Sequence, residues 1–262
     1  MAGARFLLRP LWLLSHLLVL ALVVTMVNLG FWQLDRLDQR RDRNAVIEAR
    51  QELPSVPVGE LVGPGTTPDE VDELRFRTVT ATGTYDADAT VHVRNRSQDG
   101  VAGAWVVTPL DLGAAGSVGI IRGFVAFQPD GTLEEPPPPD GEVTVTGVVV
   151  DPTRLDGTAP RDLRAVTEAD GRLPVVVRAE SSDPPEPAAG DPSAGEPGEI
   201  RAVPAGDLSE GPHLGYAAQW FIFSAIAVVG YPLVLRNVVR RRGADPNGDL
   251  DSELEELLRQ GG

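Results

Sequence analysis

Two long apolar runs bracket a polar, alternating middle. Residues 11–30 read LWLLSHLLVLALVVTMVNLG, and Tyr216 to Leu235 carry no charged side chain. At 1.5 Å rise per residue, a helix of twenty residues covers about 30 Å, the thickness of a bilayer's hydrocarbon core. The pattern predicts transmembrane helices at 11–30 and 213–235. A secretory signal peptide also begins with basic residues, here Arg5 and Arg9, followed by an apolar core. This run is longer than such a core and ends in Met26, Val27, Asn28, Leu29, Gly30 and Phe31, with no small-x-small cleavage site, so it reads as an uncleaved anchor. Trp12 and Trp32 flank it as interface residues do. The charged stretch Asp35 to Glu52 is mostly free of Gly and Pro and predicts a helical continuation of the first span. Leu53 to Asp69 reads as a Pro- and Gly-rich connection.

The middle then changes period. Phe76–Tyr85, Thr90–Arg96, Trp105–Leu110, Val118–Phe127, Val143–Val150 and Leu173–Arg178 are short and rich in Val, Ile, Thr and aromatics, with Gly, Pro and Asp clusters between them. No segment of helical period and crossover length separates the first five, which predicts an antiparallel sheet or a small barrel. The fold class is therefore two transmembrane helices enclosing an extracytoplasmic, mainly-β domain over residues 31–212. Glu134 to Asp140 (EEPPPPD) reads as a stiff extended loop. Ala179 to Glu199 is acidic, rich in Pro, Ala and Gly, and poor in large apolar residues, which predicts a disordered insert over 179–199. Ile200 to Val203 is expected to close the sheet. In the tail, residues 236–262, Leu250, Leu254, Leu257 and Leu258 recur at i, i+4, i+7 and i+8, the spacing of a short amphipathic helix.

Charge sets the orientation and removes some partners. The net charge of -15 argues against nucleic acid as a partner. Arg236, Arg240, Arg241 and Arg242 follow the second span with no acid before Asp245, which marks that end as cytoplasmic. Arg36, Arg40, Arg41, Arg43 and Arg50 beyond the first span point the other way. The second cluster decides, because long loops cross the membrane largely regardless of charge. Residues 1–10 and 236–262 are thus expected in the cytoplasm and the central domain outside, on a multi-pass protein of the cell membrane. All basic residues are arginine; with the abundance of Ala, Gly, Pro and Val this fits a GC-rich bacterial genome. The chain holds no cysteine, which excludes disulfides, thiolate catalysis, zinc-thiolate sites and iron–sulfur clusters.

Candidate chemistry rests on three histidines, His16, His92 and His213. There is no HExxH, GxSxG, GxxxxGK or dinucleotide fingerprint, and His16 and His213 belong to opposite membrane faces, so an enzyme is not expected. His92 alternates with Val91 and Val93 and is expected to face outward. His16 lies a turn inside the first span, where a neutral imidazole can bond a neighbouring helix or serve function. His213 stands a turn above Tyr216 and Ala217 and two turns above Trp220, on one helical face. Two readings of it are open: an interfacial histidine at the helix start after Pro212, or an axial ligand for a haem packed on Tyr216, Ala217 and Trp220.

Several runs in fixed order resemble the Surfeit locus family of cytochrome c oxidase assembly factors. The first span ends in Leu29-Gly30-Phe31-Trp32-Gln33-Leu34-Asp35-Arg36, similar to the family's LGxWQxxR. Phe76-Arg77, Gly83-Thr84-Tyr85, Asn95-Arg96, Val107-Thr108-Pro109-Leu110 and Arg122-Gly123-Phe124-Val125 follow in the family's order. The second span opens with His213-Leu214-Gly215-Tyr216-Ala217-Ala218-Gln219-Trp220, similar to H-x-x-Y-A-x-x-W. Where the family usually shows R-G-W-V-P, this chain has Phe124 and Ala126. The resemblance covers Leu11 to Arg242, leaving the cytoplasmic tail outside it, and the acidic insert matches nothing in the family.

The resemblance implies maturation of haem-copper oxidase subunit I in the respiratory chain, with haem a synthesis enzymes and other assembly factors as further partners. It also implies haem a binding, with His213 as the ligand to the haem iron. In that reading Trp32 and Trp220 wall the macrocycle in an apolar crevice between the two helices, and Arg36 meets a propionate at headgroup depth. The other reading of the two tryptophans is the ordinary interfacial belt. Copper delivery would need soft Cys or Met ligands, and the only methionines are Met1 and Met26. Two functions follow as expectations: a factor that binds and hands over haem a, or a cofactor-free scaffold that docks oxidase subunits. A third, more distant, is an outward sensor signalling through the tail.

Overall fold

The computed structural model describes residues 7–63, 65–152, 166–167, 171–187 and 198–244, with side chains as far as Arg241. The expected tail helix and residues 188–197 of the expected insert lie outside the described residues. The chain divides into two compact units, residues 1–44 with 208–262 and residues 45–207.

The first unit is built from two helices, α1 (Pro10–Gln51) and α4 (His213–Ala244). α1 runs unbroken from the apolar segment through the charged residues after it. Both helices are long and apolar enough to cross a membrane. Leu14, Leu17, Leu18 and Leu20 of α1 and Ile226, Val228, Val229 and Leu233 of α4 are exposed.

The second unit is a barrel. β2 (Thr78–Tyr85), β3 (Val91–Gln98), β4 (Val101–Asp111), β5 (Ser117–Ala126), β6 (Glu142–Val150) and β7 (Arg172–Asp183) correspond to the six expected strands. The sheet order is β1-β2-β6-β7-β5-β4-β3, and a further β2–β4 pairing closes β2, β6, β7, β5 and β4 into a ring. Every ring strand sends alternate residues inward: Val79 and Ala81, Leu110, Val118 and Ile120, Val143 and Val145, Leu173 and Val175 are buried in one cluster. A second cluster, with Val93, Val107, Ile121, Phe124 and Val203, fills the space between the outer face of the ring and β3.

Four local features depart from the sequence expectation. The strand expected at Phe76 begins at Thr78, because Phe76 takes a left-handed φ of 67°. β4 begins at Val101 rather than Trp105, since Asp99 and Gly100 both have positive φ and form the two-residue turn that brings Gln98 opposite Val101. The connection expected from Leu53 to Asp69 holds β1 (Val56–Pro57), the single turn α2 (Val58–Leu61) and the start of α3 (Pro68–Leu74). Thr67 and Glu70 form a capping box there, with Pro68 in the first turn. The sheet is mixed rather than antiparallel: β1–β2 and β5–β7 are parallel. The second arises because β7 inserts between β6 and β5 instead of extending beyond its hairpin partner.

The disordered insert expected from Ala179 to Glu199 is corrected at its start. β7 continues to Asp183, and Ala179, Ser181, Ser182 and Asp183 pair with β6 down to Thr144. Their polarity misled because backbone pairing on an existing strand does not need apolar side chains. Beyond β7, Glu186 reaches the side chain of Arg122, which is fully buried, with contacts of 3.0 Å to Nε and 2.6 Å to Nη2. Arg122 Nη2 also donates to the Pro136 carbonyl at 3.2 Å. Burial pushes up the Tyr85 phenol, whose ring lies 5.7 Å from this guanidinium. Ile200–Val203, expected to close the sheet, makes a single antiparallel bridge, Phe124 to Arg201. His92, expected to face outward, is instead partly buried and donates from Nε2 to Glu135 at 2.8 Å, tying the Pro-rich loop to β3.

Two predictions follow from this barrel. A Cβ at Gly83 would stand 2.0 Å from the backbone oxygen of Asp111, at the point where β2 and β4 close the ring. Backbone cannot yield as a side chain can, so Gly83→Ala is expected to destabilise the second unit by about 2 kcal/mol or more, read as a lowered urea midpoint of tryptophan fluorescence for the full chain in detergent. The hydrogen bond from His92 holds the Glu135 carboxyl below its ordinary 4.5. A carboxyl depressed in the folded state contributes stability above its unfolded pKa that is lost as pH falls through the folded one. Wild type is therefore expected to lose stability more steeply than His92→Val below that ordinary value, and parallel profiles would contradict the tether.

Candidate functional site

The site is built on the seam between α1 and α4. Positions 12, 16, 19, 23, 26, 30, 33, 37, 40 and 44 of α1 are all at least partly buried, and they recur in alternating steps of four and three. Positions 213, 217, 220, 224, 227 and 231 of α4 follow the same rule. This is the a/d pattern of a two-stranded coiled coil, with the remaining faces turned outward. The two helices run antiparallel, since His213 meets Gln33 and Tyr231 meets His16.

Small residues let the helices approach in the middle of the seam. Ala217 is 1% exposed and Met26 is 7% exposed. A Cβ at Gly30 would stand 2.7 Å from the ring of Phe221, so a larger residue there would have to displace that ring. Phe31 and Phe221 then meet edge to face with centroids 5.4 Å apart. The crevice expected between the helices is therefore closed at this level. A macrocycle does not fit inside the seam there, because aromatic and small side chains already fill it.

The five expected site residues fall into two places. His213, partly buried, opens α4 at the mouth of the seam. Its Nδ1 lies 2.9 Å from Oε1 of Gln33. An amide oxygen only accepts, so Nδ1 carries a hydrogen, and in the neutral imidazole Nε2 presents a lone pair. Trp32, Arg36, Tyr216 and Trp220 belong to one flank. The Phe31–Phe221 contact fixes which sides of the helices adjoin, and at about 100° per residue the other four project from the opposite side. Trp32 and Tyr216 are each 49% exposed, and Trp220 stands at the seam's edge. The Arg36 guanidinium stacks 5.6 Å from the Trp32 ring and donates to Gln39 at 3.0 Å.

Above the mouth, polar contacts tie α1 to the segment that leads into α4. Arg41 meets Glu210 through Nε at 2.7 Å and Nη2 at 2.9 Å, Arg40 donates to the Ser209 carbonyl at 3.2 Å, and Asn44 donates to the Leu208 carbonyl. The Arg41 hydrogen bond holds the Glu210 carboxyl below its ordinary range. Both side chains are half exposed, so this pair orients more than it stabilises.

Two partners were not singled out from sequence. Gln33 lies within the LGxWQxxR-like run but is 180 residues from His213; only the shared heptad position could have paired them. Tyr231, which bonds His16 Nδ1 at 2.6 Å, sat unremarked inside an apolar run. Among the described residues no three His, Asp or Glu side chains converge as a metal cluster would.

Relatives give this geometry a context. The chain is 26% identical over 263 aligned positions to an uncharacterized SURF1-like protein of Mycobacterium bovis, covering 95% of this chain and 92% of that one. The same identity and coverage hold for uncharacterized SURF1-like proteins of two Mycobacterium tuberculosis strains, CDC 1551 and H37Rv. Residues 20–225, which include α1 from its third turn onward, the barrel and the first part of α4, match the sequence profile of the SURF1 family. The chain belongs to the SURF1 family, generally assembly factors for cytochrome oxidase and not known as enzymes.

Proposed function

We propose that this protein spans the cell membrane through α1 and α4 and handles haem a during maturation of cytochrome c oxidase subunit I. The observation that carries the reading is the imidazole of His213. Ligating histidines are commonly held through one ring nitrogen so that the other faces the metal, and the Gln33 contact at 2.9 Å does this for His213. Exposed leucine and valine around both helices support the membrane span, since such a surface is stable in lipid and costly in water. The four arginines from Arg236 to Arg242 favour a cytoplasmic end for α4, with the barrel outside.

Haem a, when bound, would supply an iron and a broad apolar face. His213 Nε2 would hold the iron. Trp32, Tyr216 and Trp220 would cover the macrocycle from the outer flank rather than from within the closed seam. Arg36, stacked on Trp32, brings a cation to the same flank for a propionate. A flank site opens sideways toward a partner in the bilayer, which suits transfer better than storage. The partners are then oxidase subunit I and the enzymes or factors that supply haem a.

Absorption spectra of the detergent-purified protein, co-expressed with haem a synthesis enzymes, test this directly. Wild type is expected to show a Soret band that His213→Ala weakens, and a band unchanged by that substitution would contradict the ligand role. An apo protein in both samples, with oxidase assembly still dependent on the gene, would support the cofactor-free scaffold instead.

A further inference from the structure

The seam carries a second fixed imidazole at its other end, and its hydrogen bonds can be assigned one by one. Ser15 Oγ lies 2.9 Å from the Trp12 carbonyl, which only accepts, so the single hydroxyl hydrogen of Ser15 is used there. The 2.8 Å contact between Ser15 Oγ and Tyr231 Oη must then be donated by tyrosine. With its own hydrogen spent, Tyr231 Oη can only accept at the 2.6 Å contact with His16 Nδ1. His16 therefore carries its hydrogen on Nδ1, and Nε2 is a bare acceptor with no partner among the described residues. The ring is braced edge to face by Tyr231, with centroids 5.7 Å apart, and lies 6.4 Å from the Trp12 indole.

This arrangement exceeds what helix pairing requires. One Ser–Tyr contact would lock the two helices; the addition of an imidazole brings an ionisable group into an apolar segment, where such groups are costly and rarely without use. The chain Trp12 carbonyl, Ser15, Tyr231 and His16 does at this end what Gln33 does for His213: it selects the tautomer and fixes the ring. Leu13 and Leu20, one turn before and after His16, are exposed and give an apolar surface beside the free nitrogen.

We propose that His16 Nε2 is a second ligating position for an iron porphyrin, at the cytoplasmic-side end of the hairpin, with Tyr231 and Ser15 as its positioning residues. The choice of an iron porphyrin rests on the function proposed above; the bare, fixed nitrogen does not. The two sites stand at opposite ends of one seam and so would face opposite sides of the bilayer.

Titration of the detergent-purified full chain with ferric haem, followed by the Soret band, separates the two assignments. Wild type is expected to take up two equivalents, His16→Ala and His213→Ala one each, and the double variant none. Two equivalents in His16→Ala, or a single wild-type equivalent abolished by His213→Ala, would overturn the inner site and leave the outer one standing. Loss on His16→Ala with no effect of His213→Ala would support the inner site and overturn the outer. Uptake that survives the double variant, or none in wild type, would overturn both. Tyr231→Phe keeps the ring in the seam and removes only the hydroxyl, so it guards against a folding defect. It is expected to weaken the inner site about ten- to a hundredfold without touching the outer, and an unchanged inner affinity would count against the assignment.

Discussion

The antiparallel pairing of α1 with α4 is the constraint on which the proposed site depends. In a bilayer, apolar helices would have no hydrophobic reason to associate, and close packing and hydrogen bonds would have to hold them. Gly30 receiving Phe221 supplies the first. Gln33 with His213 and Ser15–His16 with Tyr231 supply the second, near opposite ends of the pairing. The same bonds that register the helices also decide which nitrogen of each imidazole is free. Structure and candidate chemistry are here one set of contacts.

The barrel solves a different problem. Only five strands close the ring and its interior is narrow, so apolar side chains from all five fill it, chiefly valine, isoleucine and leucine. What remains polar is concentrated at Arg122, whose buried guanidinium is met by Glu186 and a proline-rich loop carbonyl. Arg122 belongs to one of the runs that resemble the family, and its surroundings give that run a structural reason: a buried charge must be paired, and breaking the pair is costly. Two proline-rich segments thereby become parts of the fold rather than tethers.

Much of this was legible in the sequence, and the parts that were not share a cause. The helices were visible as uncharged runs and the strands as alternating β-branched residues, because these signals are local. The seam was hidden because the outward-facing residues are as apolar as those facing the partner helix, so no contrast marked the heptads. The extension of β7 through Ala179–Asp183 was hidden because its stability comes from β6, far away in the chain. The parallel β5–β7 pairing is a fact of strand order, which no local pattern encodes. Among the candidate residues, His213, Tyr216 and Trp220 could be singled out from their shared helical spacing, and Trp32 from the run that resembles the family. Gln33 and Tyr231 were missed because their meaning lies in partners on the other helix. The expected crevice was wrong for the same reason: whether two apolar helices leave a gap depends on which small residues meet.

The most direct test of this account is the nitrogen-15 spectrum of the full chain in lipid, labelled only at histidine. With three histidines in the sequence, single variants assign every signal. The account predicts that His16 and His213 both bear hydrogen on Nδ1, with Nε2 bare. Hydrogen on Nε2 in either ring would mean that the seam does not present that nitrogen, and the ligand role drawn from it would fail.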